Sequence, residues 1–146
     1  MAFIPCILHA THNRAGEISV SPIGDCTDYS VQAIITTYTK ASSIAADRDS
    51  LEICWGDGNC EMVVRSNGPN NNGQELGNDT KKNLYIATHT YTASGTYVIS
   101  MTDPNRNGGV LNVNAPHSDT VPCHIQTTYS FLNCQFDGPN SRPTLL

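Results

Sequence analysis

At 146 residues the chain suits one domain with a proper core and is short for two. Only 14% of its residues are charged, the net charge is −5 and lysine occurs at positions 40, 81 and 82 alone, which argues against a nucleic-acid partner or an anionic membrane surface. Six cysteines with no CxxC and no zinc-finger Cys/His spacing read as disulfides, and so as a secreted, extracellular or cell-surface chain.

The chain opens on an apolar arm, residues 1–10, with Phe3, Ile4, Ile7 and Leu8 as its large side chains. It lacks a basic n-region, so it reads either as the remnant of a signal sequence or as a strand offered to a neighbour. No stretch reaches transmembrane length, and direct membrane insertion is not expected. From there the hydrophobic period is two nearly throughout, and no segment carries a capped 3.6-residue pattern. Strands are expected near 16–20, 29–39, 50–55, 60–65, 83–90, 95–102, 109–114 and 120–132. The class is therefore all-β.

Turn chemistry separates these runs. Gly56-Asp57-Gly58-Asn59 reads as a hairpin, its glycines able to take positive φ. The polar run 66–80 reads as an exposed, mobile loop. Asp103-Pro-Asn-Arg-Asn-Gly-Gly109 is a second turn-rich connection, and residues 138–146 look like a linker.

Trp55-Gly56-Asp57-Gly58 closing a strand, then His89-x-Tyr91 and Gly95-x-Tyr97-x-Ile99, resembles the polycystic-kidney-disease (PKD) type of immunoglobulin-like domain, with Trp55 here directly before Gly56. A wider resemblance runs through Thr11-His-Asn-Arg-Ala-Gly-Glu-Ile18, Ala46-Asp-Arg48 and Asp103–Gly109. It is to the N-terminal PKD-like module of large Bacteroidota surface proteins associated with gliding motility and adhesion. These resemblances imply an immunoglobulin-like antiparallel β-sandwich of about seven to eight strands over residues 11–137. In it Trp55, Gly56, Asp57, Gly58, His89, Tyr91, Gly95 and Tyr97 would be framework. Some PKD-like domains hold calcium, so Asp57, Asp103, Asn105 and Asn107, with Glu17, are the oxygen donors to consider. The run Asp103-x-Asn105-x-Asn107-Gly is not completed by the bidentate Glu of an EF-hand loop. No other cofactor is expected.

The bland reading of Asp57 is an Asx-type bond within its own turn. That of His89 is packing near Trp55, its ring satisfied by backbone. Catalysis is not expected: the chain has no G-x-S-x-G, no H-E-x-x-H and no phosphate-cradling loop. Cys123 and His124 are neighbours on a strand, so their side chains point to opposite faces. Six cysteines allow fifteen pairings. Cys123 and Cys134 bracket one expected strand and would lie roughly 36 Å apart, far beyond bridging reach. If the last strand runs parallel to the first, Cys134 ends near Cys26, Cys123 begins near Cys6, and Cys54 and Cys60 are left across the hairpin. Placing Ile53 opposite Met62 would put Cys54 and Cys60 on opposite faces, and a bridge between subunits stays open for Cys6. Glycan attachment has three candidate positions: Asn78 in an N-x-T sequon, and Ser50 and Thr120 in Asp-Ser/Thr-apolar triplets resembling the O-glycosylation motif of Bacteroidota surface proteins.

The expected role is a non-enzymatic extracellular structural or adhesive module, whose partners are copies of itself or neighbouring domains. In its sharper form it is a fibre subunit joined by β-strand addition through the arm. The alternative is a carbohydrate-binding or spacer domain, recognising glycans through exposed aromatics. With Trp55 read as buried, Tyr38, Tyr85 and Tyr129 are the aromatics left for that purpose.

Overall fold

The computed structural model describes residues 13–25, 27–43, 47–104, 117 and 121–131. Among these residues there are eight strands and no α-helix: β1 (Asn13–Ile23), β2 (Ser30–Lys40), β3 (Ser50–Cys54), β4 (Cys60–Val64), β5 (Gln74–Gly77), β6 (Thr80–Thr90), β7 (Thr96–Asp103) and β8 (Cys123–Ser130). They form two antiparallel four-stranded sheets, in the orders β1-β2-β6-β5 and β4-β3-β7-β8. Reading the strands as A, B, C, C′, D, E, F and G, this is the ABED/C′CFG arrangement of an immunoglobulin-like sandwich. The segments expected at 109–114, the arm 1–10 and the stretch 138–146 lie outside the described residues.

Period-two patterning explains why the sheets close on each other. Val31, Ala33 and Ile35 of β2, Tyr85 and Ala87 of β6, Leu51 and Ile53 of β3, and Ile99 and Met101 of β7 point inward and form the core with Trp55. A fully buried side chain of this size contributes roughly 1.5–3 kcal/mol, so this row supplies most of what holds the sheets together. The far side of the sandwich is closed by β1 against β8. A Cβ at Gly16 would stand 2.3 Å from Ile125 Cδ1, so the glycine lets the tip of Ile125 rest directly on the β1 backbone.

One expectation is corrected. The run 66–80 is an ordered connection: it makes a short 3-10 turn at Pro69–Asn71 and then β5, which pairs with β6 as Gln74↔Lys82 and Glu75↔Lys81. Asn78 and Asp79, at φ 49° and 54°, give the left-handed pair that a tight hairpin between twisted strands requires. The β3–β4 hairpin sets Ile53 opposite Glu61 and Cys54 opposite Cys60. This puts both cysteines on one face, and the pairing expected across the hairpin is formed as a disulfide.

Candidate functional site

The residues of the Trp-Gly-Asp-Gly and His-x-Tyr motifs meet at one end of the sandwich. Trp55 is 1% exposed, and its indole Nε1 donates to Glu61 Oε1 at 2.9 Å. His89 stacks on it, with centroids 4.8 Å apart and planes 12° from parallel. Tyr91 meets the edge of His89 and stacks on Tyr97. The Tyr91 hydroxyl donates to the Trp55 carbonyl oxygen at 2.9 Å, and burial pushes its pKa well above the ordinary phenol value. Tyr97, the second residue of β7, donates to Ala93 O, four residues back, at 2.9 Å. This is the tyrosine corner of immunoglobulin-like folds, and Gly95 leaves room beneath its ring.

The hairpin that carries Asp57 is built for close approach. Gly56 sits at φ 82°, where a Cβ would stand 2.5 Å from the Val98 carbonyl oxygen. Asp57 Oδ1 accepts from Asn59 N at 3.0 Å, the Asx bond expected of it. Its other oxygen corrects the expectation for His89. The imidazole is held by Asp57 Oδ2, to which Nε2 donates at 2.8 Å, and not by backbone. Burial would raise the Asp57 pKa, but the hydrogen bonds from His89 and Asn59 outweigh it and hold the carboxyl below its ordinary value. Every reactive-looking group of the motif thus has a partner within the motif.

A second cluster, which sequence reading passed over, lies at the opposite end. Arg65 is 4% exposed. It is paired through Nη1 with Asp47 Oδ1 and donates to Asn83 Oδ1 at 2.9 Å, Asn71 O at 2.6 Å and Asn72 Oδ1 at 3.3 Å. Lys81, buried on the inner face of β6, sets its Nζ 3.0 Å from Asp47 Oδ2 and 3.5 Å from Asn72 Oδ1. Asn83 Nδ2 donates onward to Thr39 Oγ1 at 3.0 Å. Burial alone would raise the Asp47 pKa. The hydrogen bonds and charges of Arg65 and Lys81 overcome it and hold Asp47 below the ordinary carboxylate value. The signal was present in the parity of β6: Lys81, Asn83, Tyr85 and Ala87 share one face, so an inward tyrosine implies an inward lysine.

The remaining candidates scatter. Gly56, the residue before Asp57, lies against Val98, and Asp103 closes β7 roughly 16 Å further along that strand, so these two carboxylates do not share a site. Asp103 is 2% exposed, with Arg48 Nη2 3.6 Å away. Glu17 is on the outer face of β1 opposite Thr36, and Asn105 and Asn107 lie outside the described residues. Tyr85 is not exposed as expected. It is 1% exposed, donates to Arg48 O at 2.6 Å, and is pushed up to about 12 chiefly by burial. Tyr129 is half-buried against Phe131, and Tyr38 is half-buried on the outer face of β2.

Asn78 is exposed at the β5–β6 turn, and Ser50 opens β3 with its hydroxyl donating to Asp49 Oδ1 at 3.1 Å. Cys123 is buried beside Asp103, and its neighbour His124 faces outward, bonded to Thr102 and Gln126. Cys6, Cys26, Cys134, Thr120 and the arm residues Phe3, Ile4, Ile7 and Leu8 lie outside the described residues. Among the described residues, no helix is long and apolar enough to cross a membrane. Comparison of the chain with protein-family models, curated proteins and solved structures returned no match.

Proposed function

We propose that the chain is a PKD-type, non-enzymatic structural or adhesive module of an extracellular surface protein, assembling with copies of itself or neighbouring domains by β-strand addition. The observation that carries this reading is the edge strand β4. It hydrogen-bonds to β3 on one side, and it presents Met62 and Val64, 61% and 63% exposed, at alternate positions. An apolar edge of this kind is a template for another strand, and the apolar residues 2–8 of the arm supply a segment of matching character. The aromatic end favours the same reading, because its Asp, His and Tyr groups are engaged with one another and their work is to hold the hairpin. The disulfide between Cys54 and Cys60 suits an oxidising, extracellular setting.

Negative-stain microscopy of the purified, oxidised chain tests the assembly. Filaments or chains of particles are expected for residues 1–146, and dispersed single particles after deletion of residues 1–10. Single particles in both preparations would remove assembly by the arm. Retention on an insoluble glycan by such single particles would transfer the assignment to carbohydrate binding.

A further inference from the structure

Lys81, Asn72, Asp47 and Arg65 stand in one connected cluster. Two buried cations share one carboxylate, and both also converge on the side-chain amide of Asn72. Lys81 Nζ lies 3.5 Å from Asn72 Oδ1, and Arg65 Nη2 donates to the same oxygen at 3.3 Å. Asp47 Oδ2 accepts from Lys81 Nζ at 3.0 Å while its other oxygen is held by Arg65. Chemically this is an amine, an amide carbonyl, a base on the amine and a cation on the carbonyl oxygen. We infer that Lys81 and Asn72 react to form an intramolecular isopeptide bond, with Asp47 moving the protons and Arg65 stabilising the oxyanion.

The step balances without any co-reactant. Lys81 gives one ammonium proton to Asp47, and the freed Nζ lone pair attacks Asn72 Cγ. The carbonyl electron pair moves onto Oδ1, where Arg65 faces the charge as it develops. Asp47 delivers its proton to Nδ2, the C=O bond re-forms, and the Cγ–Nδ2 bond breaks. The displaced nitrogen carries off the surplus proton left on Nζ and departs as ammonium, with Asp47 again a carboxylate. Placement by the fold replaces a collision between dilute groups, which is where most of the acceleration in such reactions arises.

The fold enforces that placement. Gly73 lies at φ 75°, and a Cβ there would meet Lys81 Cδ at 2.9 Å, so the chain after Asn72 rests directly on the lysine stem. Arg65 Nε holds the same turn through Asn71 O at 2.6 Å. An open cleft bordered by Asp49, Val64, Arg65 and Asn72 gives the leaving nitrogen a way out. The product would tie β6 covalently to the connection between β4 and β5, fastening the short edge strand β5 between its own ends.

Intact-mass analysis of the purified chain, followed by tandem mass spectrometry of its tryptic digest, tests this. The expected result is a mass lower by one ammonia, no cleavage after Lys81, and a branched peptide joining Lys81 to Asn72. Attack by the Gly73 amide nitrogen on Asn72 would lose the same mass as a succinimide. Lys81→Arg separates the two: the isopeptide disappears and the succinimide stays. Asp47→Asn, which keeps both reacting groups, is expected to leave the full, uncrosslinked mass. An unchanged mass in the parent chain, or a loss that persists in Lys81→Arg, would overturn the inference.

Discussion

The Tyr91 hydroxyl enters a wall of rings and finds its acceptor in the Trp55 carbonyl oxygen, at the point where β3 gives way to the hairpin. Tyr91→Phe would keep the stack on Tyr97 and leave that carbonyl without its donor, a loss of about 1–2 kcal/mol for a buried group. Urea unfolding should therefore show a lower midpoint with an unchanged slope. An unchanged midpoint would mean that water reaches the carbonyl. That His89 and Tyr91 share a face was readable from their spacing of two. The Asp57 partner of His89 was not, since the two are 32 residues apart and only the meeting of the two sheets brings them together. Trp55 hides its donor in the same way. Glu61 reads as a surface carboxylate on an edge strand, yet its Oε1 receives the indole N–H.

Among the elements, the β3–β4 hairpin was legible as a hairpin with Cys54 and Cys60 across it, while its register was left open. Pairing Ile53 with Met62 matches one apolar residue to another, but the observed pairing sets Met62 outward and turns Val63 inward. The observed register keeps an apolar match, pairing buried Leu51 with buried Val63, and also lets Cys54 and Cys60 bridge. The disulfide closes a short loop, with a sequence separation of 6. Chain entropy then assigns it about 2 kcal/mol. Replacing Cys54 and Cys60 together by alanine should lower the unfolding free energy by about that amount, with retention of the β signal in circular dichroism. A loss of fold would show that the edge strand depends on the bridge for its existence. The strand β5 was invisible for a different reason. All four of its residues are exposed, so no alternation marks it. What holds it is backbone pairing to β6 and the left-handed turn at Asn78-Asp79. Strands β2, β3 and β7 were readable because each buries every second residue against the other sheet.

Across the whole molecule the interior changes character from end to end. Rings of Trp55, His89, Tyr91 and Tyr97 fill one end, while Arg65, Asp47, Lys81 and Asn83 fill the other. The charged end makes stability depend on pH through Asp47. Burial would raise its pKa, but Arg65 and Lys81 hold it below 3.8, the value it regains when the chain unfolds. Its contribution is therefore fully present above 3.8 and is lost as the pH falls through the folded-state value. Between those two values the unfolded chain binds more protons than the folded one, so stability rises with pH across that window. Asp47→Asn removes this titration and leaves Arg65 buried without its carboxylate, at a cost of about 3 kcal/mol near neutrality. With Lys81→Arg in both chains, neither is crosslinked and the cation beside Asp47 is kept. Urea unfolding between about pH 5 and pH 2 should then show the chain with Asp47 losing stability more steeply than the one with Asp47→Asn, the two curves converging at the acid end. Parallel curves across that range would show that the acid sensitivity resides in other carboxylates, Asp57 beside His89 first among them.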